Sequence, residues 1–173
     1  MRSQLAFLAL SFFLSTAARA NTDVKVNGRA YMPSCSYMTN VTGDFEVTLQ
    51  DESIAWGSSV DLIFGFFGRG ERGAVLDWTQ KQELQMPATG PYRWSQRVTT
   101  QLARRGGPEQ LEALQFVFRI REASGKERYL RGGRGEMAFF EARLPTSLRP
   151  DCVRPGQEFP AYVPMNLKSV HRN

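Results

Sequence analysis

The chain has one histidine, two cysteines and no long apolar run, and each shortage removes a class of function. The histidine, His171, is third from the C-terminus. A catalytic triad or a Cys-His pair needs an imidazole held in place by a fold. A zinc site draws on several His or Cys ligands. One terminal histidine supplies neither, so histidine-dependent hydrolysis and zinc catalysis are set aside. The cysteines, Cys35 and Cys152, are nowhere near C-x-x-C spacing, which argues against thiol redox work. Asp51, Glu52, Asp61, Asp77 and Glu136 lack the dense D-x-D pattern of a calcium loop. Arg131-Gly132-Gly133-Arg134-Gly135 is not a phosphate loop, because the Lys-Ser/Thr pair and a strand–helix context are missing. No cofactor is called for. There is no internal repeat and no low-complexity tract.

What is present begins with an address. Met1-Arg2-Ser3 carries a positive charge, Leu5–Leu14 is a short apolar run, and Ala18-Arg19-Ala20 ends in small residues. This is the layout of a secretory signal peptide over residues 1–20. The run is about half the length that spans a bilayer, so no permanent anchor is expected. Neither cysteine lies just after the leader, where a lipid-anchored protein needs one. The expectation is an exported protein, periplasmic or extracellular. Removing the leader leaves about 150 residues, enough for one domain with a real core. It also removes Arg2 and Arg19 and no acid, lowering the formal charge of +5 by two. A nucleic-acid binder is far more basic than that.

In an oxidising compartment two surviving cysteines read as a disulfide. It would close a loop of about 117 residues, worth roughly 4–5 kcal/mol in the chain-entropy account.

Period-two alternation dominates the rest, as in half-buried strands. Phe45, Val47 and Leu49 share a face, as do Val60, Leu62, Phe64 and Phe66. Tyr92, Trp94, Gln96 and Val98 repeat the pattern, and so do Leu114, Phe116, Phe118 and Ile120. Ser124-Gly125 then marks a turn, with Glu127–Leu130 as the returning arm of a hairpin. Ala138, Phe140, Ala142 and Leu144 form one face of a further strand. Weaker strands are expected at Val24–Tyr31 and Ala74–Trp78, and helical turns only at Val98–Arg105 and Pro108–Ala113. Seven or eight short strands with Gly-rich turns fit an all-β, antiparallel β-sandwich over residues 21–152. A closed barrel is the alternative. Five prolines between Pro145 and Pro164 discourage regular structure. Residues 153–173 therefore read as a Pro-rich tail, mobile from Asn166 onward.

The candidate binding residues are aromatic and basic. Trp56 and Trp78 lie in polar or Gly/Ser-rich stretches that suit exposure, whereas Trp94 and Tyr92 share a face with Val98 and suit the core. Tyr129, Phe67 and Phe139 lie near turns or on a second face. Flat rings stack on the C–H faces of sugars. Arg119, Arg121, Lys126, Arg128, Arg131 and Arg134 form a basic cluster opposed by Glu122 and Glu127. Such a patch attracts anionic polymers or acidic surfaces, or else is a solvated strand face that resists aggregation. Asp61 alternates with core residues, so it belongs on an outward, solvated face. Asn40-Val41-Thr42 matches a glycosylation acceptor.

Val60–Gly65, then Tyr92-Arg93-Trp94, then Leu114–Phe118, then Gly125, then Phe140–Leu144 follow an order that resembles the immunoglobulin-like modules that bind starch and related glucans. The resemblance covers about half the chain and implies the same sandwich and a glycan ligand. Only Trp94 matches a family aromatic. Lys126-Glu127-Arg128-Tyr129 stands where the family has a polar Asp/Asn cluster. The expected function is non-catalytic binding of a glycan or envelope surface through Trp56, Trp78, Trp94, Tyr129, Arg119, Arg121 and Arg128. A structural or assembly subunit with a protein partner is the second reading, and a two-carboxylate glycan hydrolase the third. Mass spectrometry of the exported protein is expected to find Asn21 at the N-terminus and two hydrogens fewer than the dithiol mass. Free thiols, or a retained leader, would overturn both expectations.

Overall fold

A computed structural model describes residues 21–35, 40–69, 81–103, 110–134, 138–143 and 150–170. The described residues form twelve strands and no helix. In chain order these are β1 (Thr22–Met32), β2 (Val41–Asp51), β3 (Ser59–Arg69), β4 (Gln82–Gln85), β5 (Ala88–Gly90) and β6 (Arg93–Ala103). They continue as β7 (Gln110–Arg121), β8 (Glu127–Leu130), β9 (Phe139–Arg143), β10 (Asp151–Cys152), β11 (Val163–Pro164) and β12 (Asn166–Val170).

Two antiparallel sheets pack face to face. One runs β1–β2–β6 with β5 on the far edge of β6, and the other runs β4–β3–β7 with β8 and β9 on the far side of β7. The pair Ala103↔Gln110 joins them where β6 hands over to β7. The sequence alternation is the reason for this arrangement. Val26, Phe45, Val47, Leu49 and Val98 of the first sheet meet Leu62, Phe64, Leu114, Phe116, Phe118 and Ile120 of the second in one apolar core. Phe116 lies at its centre, edge-on to Phe118 at 5.5 Å and stacked on Phe140 at 5.4 Å. Aromatic rings in such geometries add to what burial alone supplies.

The expected hairpin at Ser124-Gly125 is present. Glu122 and Lys126 close it, and Arg121↔Glu127 through Phe118↔Leu130 zip it up. β8 and β9 then lie end to end along the same edge of β7, Leu130 opposite Phe118 and Phe140 opposite Phe116. One strand is in effect interrupted by an Arg/Gly-rich excursion. Gly132 sits at its foot, where a Cβ would run into the carbonyl of Phe139.

Three expectations need correction. Val98–Arg105 was expected to hold a helical turn. β6 instead continues to Ala103, because Val98 and Leu102 bury against the core. Pro108–Ala113 was given the same expectation, yet β7 already starts at Gln110. The chain after Cys152 was expected to be irregular and then mobile. Instead Val163 and Pro164 pair with β1, and Asn166–Val170 pair along β9. Met165, between these two pieces, donates its N–H to Val26 and buries its side chain in the core. The prolines only confine this segment to sheet edges, where a missing N–H costs nothing. The expected strand at Ala74–Trp78 lies outside the described residues. Cys35 and Cys152 form the disulfide, with Cα atoms 5.2 Å apart. It fastens the end of β1 beside β10, the one parallel pairing among the described residues.

Phe116→Ala is expected to destabilise the protein by about 3–5 kcal/mol in urea unfolding. Gly132→Ala is expected to cost about 1–3 kcal/mol, because backbone rather than a flexible side chain must yield. Loss of less than 1 kcal/mol in either variant would contradict this packing.

Candidate binding site

The basic cluster is largely tied up within the protein. Asp61 on β3 faces outward, as its alternation demands, but it is 2% exposed rather than solvated. Arg119, directly opposite it on β7, donates to Asp61 through Nε at 3.2 Å and through its terminal nitrogen at 3.0 Å. Arg121 also donates to Asp61. Glu83, from β4, pairs with Arg119, and Glu127 stands 3.8 Å from it. The Arg119 guanidinium is held above its ordinary pKa, chiefly by the hydrogen bond to Asp61, with burial opposing. Arg128 reaches Glu122 at 4.0 Å. Arg131 lies over the ring of Tyr129 at 5.1 Å, and that ring stays partly exposed. This face is a cross-strand charge network with cations and acids nearly matched.

The outer face of the first sheet is also covered. Asp44 on β2 accepts from Arg29 at 2.6 and 2.9 Å and from the hydroxyl of Tyr162 at 2.7 Å. The Arg29 guanidinium lies between the rings of Tyr162 and Phe159, 4.5 and 4.8 Å from their centres. Tyr31 meets Phe159 edge-on at 4.9 Å. The segment between β10 and β11 is therefore a strap across this sheet. No sequence periodicity marked Phe159 or Tyr162, since the strap lacks any.

Among the described residues, one end of the sandwich remains open. Asp51 closes β2 and is buried, and its bonds tie β1, the loop that follows and the Tyr92 turn together. Its carboxylate accepts from the Ser53 N–H at 2.8 Å, the Ser53 hydroxyl at 2.6 Å and the Thr22 hydroxyl at 3.0 Å. Its own N–H donates to the carbonyl of Tyr92 at 3.0 Å. Ile54 then turns inward and is buried in the core. A turn from Ala55 to Ser58 follows, closed by Ser58 N–H to Ala55 O at 3.2 Å. Gly57 takes φ +81° at its third position, which a type II turn requires. Trp56 is the preceding corner residue, 85% exposed. On one side Arg128 donates to the Ser53 hydroxyl at 3.2 Å. Gly57 faces Ala123 of the β7–β8 hairpin there as well. Tyr92 lies on the other side.

The residues singled out from sequence thus separate. Trp56 and Arg128 come together at this end. Arg119, Arg121 and Tyr129 come together on the outer face of β7 and β8. Trp94 is 8% exposed in the core, so the one aromatic carried by the family resemblance offers no stacking surface. Trp78 lies outside the described residues, as does the side chain of Phe67. Phe139 is buried. Tyr92 corrects the expectation of a core residue. It occupies the turn before β6 with φ 53°, and its ring is 42% exposed. Among the described residues no group of His, Cys, Asp and Glu is placed to hold a metal ion. No protein-family model, curated protein or solved structure matches the chain.

Burial raises the Tyr162 phenol to about 12, and its hydrogen bond to Asp44 adds to the shift. The folded state therefore keeps a proton that the unfolded chain gives up near pH 10. The resulting stability is whole below pH 10 and is lost as pH climbs towards 12. Ultraviolet titration is expected to show a phenol that ionises near pH 12, and Tyr162→Phe is expected to remove that late step. Absence of the step in the wild-type protein would contradict the strap.

Proposed function

We propose that the protein is an exported, non-catalytic binding module that engages an envelope or extracellular surface through the sandwich end carrying Trp56. The observation that carries this reading is the exposure of Trp56 on a loop fixed at its foot. A ring of that size left in water gains nothing for folding. Its loop is nevertheless held by Asp51, Ser53, Ile54 and Arg128. An aromatic presented on a preorganised frame loses little freedom on binding. The disulfide, and the lack of any membrane-spanning helix among the described residues, are compatible with export. The internal pairing of Arg119 and Arg121 shifts weight from an anionic polymer to a ligand held by the ring. Of the acids that a hydrolase reading offers, Asp51 and Asp61 are buried in bonds to neighbouring side chains, Glu52 is exposed, and Asp77 and Glu136 lie outside the described residues.

Retention of the mature protein on an insoluble glucan and on an envelope fraction tests this. Binding to at least one is expected to resist salt and to weaken about tenfold or more in Trp56→Ala, on the scale of a buried aromatic side chain. Binding that survives Trp56→Ala but falls with salt and with Arg121→Gln would move recognition to the charged face. Absence of binding to both would leave a protein partner as the reading.

A further inference from the structure

We propose that the second edge of β6, from Arg97 to Gln101, takes up an extended strand of another polypeptide, which adds to the first sheet through main-chain hydrogen bonds. This goes beyond the Trp56 end and uses a different part of the molecule.

Two bonds fix the direction of the backbone along β6. The Tyr92 carbonyl accepts from Asp51 of β2, and the Ser95 N–H donates to the carbonyl of Pro87, just before β5. Even-numbered residues of β6 therefore turn their N–H and C=O groups towards β2. Odd-numbered residues turn theirs towards the opposite edge. The alternation holds to Gln101, because β2 and β6 keep one register from Gln50↔Arg93 to Thr42↔Gln101.

On that opposite edge β5 covers Arg93 and Trp94, and β7 meets Ala103. Between these two points no described strand pairs with it, and Arg97, Thr99 and Gln101 are exposed. Among the described residues this is the longest stretch of strand edge without a neighbour. β1 has β10 and β11 on its outer edge, β3 has β4, and β7 has β8 and β9.

The stretch also lacks the features that keep an edge from pairing. Those are proline, a bulge, or a charge aimed outward. From Gln96 to Leu102 there is no proline and no register shift. Arg97 is the one charged residue, and its guanidinium reaches back across the sheet to 5.7 Å from the ring of Tyr162. One edge carbonyl is served by a side chain in place of a strand. Gln96 holds an inward position between Trp94 and Val98, yet its amide turns out of the core and donates to the Arg97 carbonyl at 2.8 Å. A bond this local can be exchanged for a strand N–H without opening the core.

The occupant follows from this chemistry. Donors and acceptors that recur at every second residue along a straight edge match another main chain in β conformation. The slot is bounded at its ends by β5 and β7. The same edge of a second copy carries the same two pieces and cannot lie along it. A single segment without such neighbours can.

Residue-resolved amide exchange of the disulfide-bonded protein tests the edge first. Arg97, Thr99 and Gln101 are expected to exchange about tenfold or more faster than Val98 and Thr100, whose N–H groups face β2. Equal protection along the stretch overturns the proposal. A synthetic peptide with the sequence of residues 42–50 then serves as the probe, since that strand already lies against β6 on its other side. It is expected to slow exchange at the odd-numbered positions and leave the even-numbered ones unchanged. Thr99→Pro and Gln101→Pro each remove an edge donor that the fold does not use. Each is expected to weaken peptide binding about tenfold, the loss of a hydrogen bond or two. Thr99→Val, which keeps the N–H, and Trp56→Ala should bind as wild type does. Circular dichroism confirms that each variant is folded. No binding of the peptide, or unweakened binding by both proline variants, overturns the proposal. Peptide binding lost in Trp56→Ala overturns the assignment to this edge. Wild type that sediments as a dimer, split by Thr99→Pro, overturns the choice of occupant in favour of a second copy.

Discussion

The two-sided pleat of a strand decides which groups in this protein are free to act. Each long strand gives one face to the core, and that face is apolar almost without exception. Polar groups are pushed to the outer faces and the ends. On the outer faces they are consumed by one another. Asp44 is held by Arg29 and Tyr162, Asp61 by Arg119 and Arg121, and Glu141 by Gln115 and Arg143. All three acids sit at outward positions, and all three are buried. Charges paired in this way give register and order more than net stability. They also leave little potential for a distant ligand.

The end of the sandwich escapes that pairing, and Asp51 organises it. This one carboxylate ties the first residue of β1 to the foot of the Trp56 loop. Its backbone ties the same point to the Tyr92 turn. Ile54 is buried in the core beside this point, and Trp56 faces outward. At the other termination of β1 the disulfide and β10 hold the strand. The strap then covers its outer edge before crossing to β9. The short edge pieces β10 and β11 also blunt an eleven-residue strand that would otherwise invite pairing with another chain.

Much of this was legible in the sequence, for a simple reason. Alternation reports burial, so the strands around Phe45, Phe64, Phe118 and Phe140 could be placed, along with the hairpin at Gly125. The tail could not. Proline predicts the loss of hydrogen bonds but not that an edge strand has none to lose, so β11 and β12 left no signal. Asp61 shows a second limit. Alternation gives the face of a residue correctly, while its partners across the sheet follow from register. The pairing Asp61↔Arg119 turned a solvated acid into a buried one. Tyr92 failed for a related reason. A pattern that continued to Trp94 was extended one step into a turn, where φ 53° marks the end of the strand. Trp56 was legible because its neighbours are small, but the frame that holds it depends on Thr22, Tyr92 and Arg128 arriving from distant segments.

A hydrogen-exchange footprint of the protein, taken with and without the glucan or envelope fraction that retains it, tests the central claim most directly. The account predicts new protection in residues 53–58 and at the Tyr92–Arg93 turn, with exchange on the Arg119–Arg121 stretch unchanged. New protection confined to β7 and β8, with the Trp56 loop unaltered, would contradict it.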